Sequence, residues 1–259
     1  MMGAERPDGR GCVLVTGGAK RLGGAIIRAC VTAGFDAVIH CRSSRAEAEA
    51  LAEELRGSGR AIAVVDGDLA DPHAVTPLVE RAAAAVGRSV TALVNSASVF
   101  EWDDVGSFTA QGFLDHMLPN TLAPALLIQG LLRQLPAGVQ GSVVNILDQK
   151  LAAPNGDHFT YTLSKYALMG MTEMLARSEA AHLRVNAVAP GYTLPAPGQA
   201  PADFQRLHGQ TPLGYGPEAQ DIAEAVLLLL TAPAITGQTL YVDAGLRFRS
   251  LDRDISYLA

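Results

Sequence analysis

Three residues near the middle of the chain carry groups that could do acid–base chemistry together. Tyr161 and Lys165 stand four apart, and Asp148 precedes the tyrosine by thirteen positions. The run from about Phe159 to Ala180 has helical periodicity, and residues four apart on a helix share a face, so the tyrosine and the lysine project into one cleft. A lysine charge favours the phenolate and lowers the tyrosine pKa from about 10 toward neutrality, which makes Tyr161 a workable acid. A carboxylate in that cleft acts the other way. It opposes the negative charge that ketone reduction builds on oxygen, and it raises the tyrosine pKa. Reduction of a C=N bond is different, because nitrogen must gain a proton and the activated iminium is cationic, so Asp148 can deliver the proton or stabilise the charge. Asp148 is therefore either an incidental loop residue or the clue to the substrate.

The elements that must position these groups follow from the apolar periodicity. Short β runs at "CVLV", "DAVIH", "AIAVV", "VTALVN", "GSVVNIL", "LRVNAVA" and "QTLYVDAG" alternate with helical stretches, among them "AKRLGGAIIRACVTAG", a long one from about Thr109 to Gln134, and "EAQDIAEAVLLLLT". Seven strands and six helices in alternation predict an α/β fold: a single doubly wound Rossmann-type domain, with a seven-stranded parallel sheet covered by helices on both faces. The expected limits are a flexible N-terminus at 1–10, the domain at 11–245 and a C-terminal tail at 246–259. The Pro- and Gly-rich stretch from about 191 to 217 is long for a compact domain, and reads as a mobile lid over a ligand or as an ordered surface loop.

Composition narrows the partners. The 259 residues are 49% hydrophobic with a net charge of −6 and dispersed basic residues, which fits a small-molecule partner and no nucleic acid. Cys12, Cys30 and Cys41 are odd in number and lack metal-ligand spacing, so reduced thiols and no metal are expected. The polar start "MMGAERPDGRG" and the shortness of every apolar run predict a cytoplasmic protein with no membrane partner.

After the first strand, "VLVTGGAKRLGG" places Gly17 and Gly18 in a turn and Gly23 at a helix start. Glycines there let the backbone approach a pyrophosphate, and the helix N-terminus supplies amide donors; the same pattern also serves a plain βα turn. At the end of the second strand, "VIHCRSSRAE" has no carboxylate to bind a ribose 2′-hydroxyl. Arg42, Ser43 and Ser44 instead offer charge-assisted bonds to a 2′-phosphate, which predicts NADPH; His40 either joins them or packs inside.

Together these pieces resemble the short-chain dehydrogenase/reductase family from about Cys12 to Gly245. The matching motifs are the Thr16-Gly17 turn, "DGDL", "VNSAS", Asn120 in the long helix, the Tyr161/Lys165 pair, "APGYT" and "TGQTLYVDAG". The resemblance implies that Gly17, Arg21, Leu22, Gly23, Asp68, Leu69, Asn95, Ala97, Pro190, Gly191 and Thr193 contact the cofactor, that Lys165 also bonds its ribose, and that Asn120 helps hold a proton-relay water. Two departures stand out: Arg21 replaces the usual second glycine of the turn, and Ser96 and Ser98 replace part of the usual Asn-Asn-Ala-Gly run. Asp148 stands where most members carry a serine. "RLG", "HCRSS", Phe100 after "NSASV" and the serine-to-aspartate change are similar to the pteridine reductase branch and to bacterial dihydromonapterin reductases. That likeness implies reduction of a dihydropterin ring, stacked by Phe100 and bounded by Arg21, Ser98 and Tyr192. Trp102 is either a pocket wall or a half-exposed aromatic. The family also implies a homotetramer built through the helices after the fourth and fifth strands, in which Arg247 or Arg249 of the tail approaches a neighbour's site. Rival readings are a general ketone or 3-oxoacyl reductase, with Asp148 turned away, and an idle NADPH-binding sensor.

Overall fold

The computed structural model describes residues 10–195, 198–249 and 251–258. The expected flexible N-terminus, apart from Arg10, lies outside the described residues, as do Ala196 and Pro197 of the expected lid and Ser250 and Ala259 of the tail. Seven strands form one parallel sheet in the order β3-β2-β1-β4-β5-β6-β7. They are β1 (Cys12–Val15), β2 (Asp36–Cys41), β3 (Ile62–Asp66), β4 (Ala92–Asn95), β5 (Gly141–Ile146), β6 (Leu183–Pro190) and β7 (Thr239–Val242). The order reverses between β1 and β4, so the connections leaving these two strands diverge and open a crevice at their C-terminal ends.

The central strands β1, β2, β4 and β5 are buried along their whole length, which is why they read as continuous apolar runs rather than alternating ones. One face is covered by α1 (Arg21–Thr32), α2 (Arg45–Leu55) and α9 (Ala219–Thr231). Ile26 and Ile27 of α1 are fully buried, and each contributes roughly 1.5–3 kcal/mol. The other face carries α4 (Leu78–Val86), α6 (Ala123–Gln134) and α7 (Phe159–Ser178). Cys12, Cys30 and Cys41 are buried and unpaired, and burial pushes the thiols of Cys12 and Cys30 up to about 12.

Three helical segments differ from the sequence expectation. The stretch after β3 splits into α3 (Pro72–Val75) and α4, because Pro77 has no amide to continue the first helix. The long helix after β4 is α5 (Ala110–Met117), a π-helical turn over Leu118–Leu122 with Pro119 in it, and then α6. The segment expected as a lid contains α8 (Pro201–His208), started by a proline at its first position.

Candidate active site

Asp148 follows β5 by two residues and caps a short 3-10 turn, with Oδ1 accepting from the Lys150 amide at 2.8 Å. Its Oδ2 accepts from the Tyr161 hydroxyl at 2.8 Å. The carboxylate therefore faces the tyrosine; it does not point away. Burial pushes the Asp148 carboxyl above the usual range, against the two hydrogen bonds that lower it. Lys165 lies one helical turn beyond Tyr161, and its Nζ donates to the Ile146 carbonyl at 2.8 Å while sitting 5.7 Å from the phenol ring centroid. Burial brings this lysine down to about 8. The expectation that Lys165 draws the tyrosine toward neutrality is corrected here: burial first, then the adjacent Asp148 charge, hold Tyr161 well above its ordinary value. Asp148, not Tyr161, is the more acidic member of the bonded pair.

Asn120 lies in the π-helical turn and is buried. Its Nδ2 donates to the Val99 carbonyl and to Ser164 Oγ, both at 3.0 Å, and its Oδ1 accepts from the Val99 amide at 2.8 Å and from Ser98 Oγ at 3.2 Å. That side chain has no donor left to give, and it clamps the 96–100 loop onto α7. Ser98 is turned toward this clamp. Phe100, delivered by the clamped loop and 47% exposed, stands edge-on to Tyr161 with centroids 4.6 Å apart and stacks on His158 at 3.9 Å. One face of the Phe100 ring is thus already covered by His158.

At the crevice between β1 and β4, Gly17 has φ of +63°, and a Cβ on it would come within 3.1 Å of the Ala97 backbone. A Cβ on Gly23 would meet the Gly17 carbonyl at 2.1 Å, so only glycine closes this turn at the N-terminus of α1. Thr16 Oγ1 accepts from the Ser96 and Ala97 amides at 3.0 and 3.1 Å and ties the two strand ends together. Arg21 adopts φ of +55°, the left-handed conformation that the missing glycine would take without strain, and its guanidinium donates twice to the Pro195 carbonyl at 3.1 Å. Arg42 and Ser43 are exposed at the end of β2, and Ser44 starts α2. Asp68 is exposed and Leu69 buried after β3. At the end of β6, Gly191 is the residue that fits beside Asp243, whose Cα would lie 2.7 Å from an added Cβ; Thr193 Oγ1 donates to the Gly191 carbonyl. A glycine cradle at a helix N-terminus with exposed Arg42 at the neighbouring strand end fits a phosphorylated dinucleotide.

Two residues expected at this cleft are turned inward. His40 Nδ1 accepts from the Gly17 amide at 3.3 Å and its Nε2 bonds the Gly67 carbonyl at 3.1 Å; burial lowers its pKa, and the ring braces the turn instead of reaching a phosphate. Asn95 Nδ2 donates to Asn145 Oδ1 at 2.8 Å, and Asn145 donates on to Thr172 at 2.9 Å, so its side chain joins β4, β5 and α7 inside the sheet. Among the described residues no cluster of His, Cys, Asp or Glu is arranged to hold a metal ion, and no helix is long and apolar enough to cross a membrane.

The short-chain dehydrogenase family model matches residues 11–203. The chain belongs to that family. The short-chain dehydrogenase fold is shared with the alternative dihydrofolate reductase 1 of Brucella canis, solved with NADP, at a TM-score of 0.88 and 37% identity over 94% of this chain and 97% of that one. A blue fluorescent protein from a metagenomic library, solved with NADPH, gives a TM-score of 0.81 and 33% identity over 91% and 97% of the two chains. The 3-oxoacyl-acyl-carrier-protein reductase of Staphylococcus aureus is 28% identical over 249 residues, 90% of this chain and 96% of its own. The chain is an NADP-dependent short-chain oxidoreductase, in agreement with the expectation drawn from Arg42, Ser43 and Ser44.

In this dehydrogenase the tail packs on the loop before α7 and on α8. Tyr192 donates to Gln199 Oε1 at 2.6 Å and packs at a 40° tilt against Phe204 of α8, with ring centroids 5.3 Å apart. Within the subunit Arg247 pairs with Asp243 at 3.3 Å, and Arg249 donates to the Gln210 carbonyl. Residues 251–258 return to the loop before α7. Trp102, 47% exposed, donates to Asp157 Oδ1 at 3.1 Å. Lys150, Asp157, His158, Asp254 and Tyr257 were all missed in the sequence. Each is an isolated residue with no motif spacing, and the one available hint was the density of Asp, His and Asn just before Tyr161.

Proposed function

We propose that this enzyme reduces the ring C=N bond of a pterin, taking a 7,8-dihydropterin to its tetrahydro form. NADPH, when bound, supplies the hydride that goes to the imine carbon. Gly17, Leu22 and Gly23 cradle its pyrophosphate, Arg42, Ser43 and Ser44 hold the 2′-phosphate, Asp68, Leu69 and Ala97 flank its adenosine half, and Pro190, Gly191, Thr193 and Lys165 hold the nicotinamide end. The ring nitrogen must gain one proton as the carbon gains its hydride.

The observation that carries the reading is the 2.8 Å bond between Tyr161 and Asp148. A carboxyl whose pKa is raised by burial holds a proton closer to neutral pH than an ordinary aspartate does, which suits Asp148 to giving that proton to an imine nitrogen. Asp148 is partly exposed and regains its proton from water, while Tyr161 keeps its own proton and holds the carboxyl in place through the same bond. A ketone would instead need the proton of Tyr161, which is directed at Asp148 and held above its ordinary range. Phe100 supplies the flat face a bicyclic ring needs, and we assign Tyr192, Ser98 and Arg21 to bound that ring. The likeness to the Brucella dihydrofolate reductase supports this class, and the Staphylococcus relative is the observation that favours a ketone or 3-oxoacyl substrate. Exposed Leu114, Leu122, Leu163 and Met174 on α5, the π-helical turn and α7 support self-association through these helices, with a homotetramer as the proposed working form.

Initial rates of NADPH oxidation with dihydrobiopterin, dihydromonapterin, dihydrofolate and a ketone panel test the reading, in the wild type and in Asp148→Ser. Pterin turnover is expected, with kcat on the order of 100-fold lower in the variant and NADPH binding unchanged. Faster ketone turnover that improves further in Asp148→Ser would sink the pterin assignment.

A further inference from the structure

Asp157 lies four residues before Tyr161 and is 5% exposed, yet it carries three hydrogen bonds from far along the chain. Its Oδ2 accepts from Arg253 Nε at 2.7 Å and from the Asp254 amide at 2.8 Å, while its Oδ1 accepts from Trp102. Buried Lys150 ties the same point down, donating to the Asp157 carbonyl and lying 3.6 Å from Asp254 Oδ2. Two consequences follow for the residues beyond. Tyr257 is laid over His158, with centroids 5.8 Å apart and an interplanar angle of 22°, and its hydroxyl is 3.4 Å from Nε2; His158 in turn backs Phe100. On the other side, Ile255 is buried against Leu207 of α8 and Leu246, with Tyr192 and Leu251 packed around them. His158 itself holds a left-handed backbone with φ of +53° at the start of α7, a conformation that needs outside support to persist.

We propose that residues 251–258 are a strap, latched by Asp157 and Arg253, that positions the substrate shelf of the subunit to which they belong: Tyr257 backs the His158–Phe100 stack, and Ile255 anchors the lid helix that carries Phe204 against Tyr192. Arg253, Tyr257 and Ile255 are positioning residues that act through Phe100 and Tyr192, not groups that meet the reacting atoms. The strap rests on the pterin reading only for the identity of the flat ring it positions. Its strength comes from a charge-assisted pair whose carboxylate is buried and whose arginine is half exposed, so removing Arg253 leaves Asp157 with fewer partners in a poorly solvated place.

The test compares the full-length wild type with Arg253→Ala, Arg253→Lys and Tyr257→Leu. It reads steady-state kinetics on whichever substrate the wild type turns over best, NADPH affinity by fluorescence, and amide exchange with no substrate present. The strap predicts that Arg253→Ala and Tyr257→Leu raise KM by about fivefold with kcat and NADPH affinity nearly unchanged, and that Arg253→Lys recovers part of the loss. It also predicts faster exchange over α8 and residues 157–160 with β4 and β5 unaffected. Unchanged KM and unchanged α8 exchange overturn it. So does faster exchange spread equally over β4 and β5, which would make the tail a general stabiliser, and so does a loss confined to NADPH affinity. Failure of the pterin reading is a separate result, because it shows as missing pterin turnover in the wild type and leaves the exchange data untouched.

Discussion

On the cofactor side of the cleft, Gly17, Arg21 and Gly23 lie within seven consecutive residues, and their fit is fixed by backbone contacts between a strand end and a helix start. On the proposed substrate side, Phe100, Asp148, Asp157, Tyr192 and Tyr257 come from separate segments and are held by side-chain bonds, stacking and one charge pair whose carboxylate is buried. The first region tolerates almost no change of shape, because its closest approaches are backbone to backbone. The second can be loosened piece by piece, and under the proposed reading each piece should alter substrate binding and leave NADPH affinity unchanged.

The most damaging break of that contrast is Gly23→Ala. Its methyl would stand 2.1 Å from a backbone oxygen, so the turn itself must open. NADPH affinity should fall on the order of 100-fold, about 3 kcal/mol, in a fluorescence titration, and an unchanged affinity would remove the glycine cradle from the cofactor site. A smaller effect sharpens the boundary between the halves at Lys165. Burial lowers this lysine to about 8, so it is charged below that pH and neutral above it. Accordingly kcat/KM should decline above pH 8, by about tenfold per pH unit once the limb is established. Lys165→Arg keeps the charge and should move the alkaline limb upward; a limb that stays in place would assign it to another group. The smallest effect is expected for Arg21→Gly, since relief of the left-handed strain, worth roughly 1 kcal/mol, offsets the lost bonds to Pro195. Thermal melting should show little change or a slight gain, while substrate KM rises a few-fold through the freed lid. A clear drop in melting temperature would show that the guanidinium contributes more than its backbone costs.

How far the sequence could be read follows the same division. The seven strands lie where the apolar runs predict them, because central parallel strands are buried on both faces and need continuous Val, Ile and Leu. The Tyr161/Lys165 pair and the glycine turn were legible for a similar reason: helix spacing and positive φ are local properties. His40, Asn95 and Asn120 were matched to the right places, but their side chains point into the protein, bracing a turn, a sheet and a loop. A residue type at a motif position says nothing of where its side chain turns once neighbouring strands offer it a partner. The π-helical turn at Asn120 and the helix inside the lid were likewise invisible to periodicity, since each is a short departure set by packing.

By itself the sequence determined the doubly wound sheet, the glycine turn after β1, the use of NADP, and the presence of a carboxylate near the tyrosine. Each of these depends on residues close together in the chain, where backbone geometry leaves few alternatives. Only the tertiary structure decided that Asp148 faces Tyr161, that burial outweighs Lys165 in setting the tyrosine's acidity, and that Arg253 reaches back across 96 residues to Asp157. Those outcomes depend on which groups are desolvated together, and desolvation is a property of the packed chain.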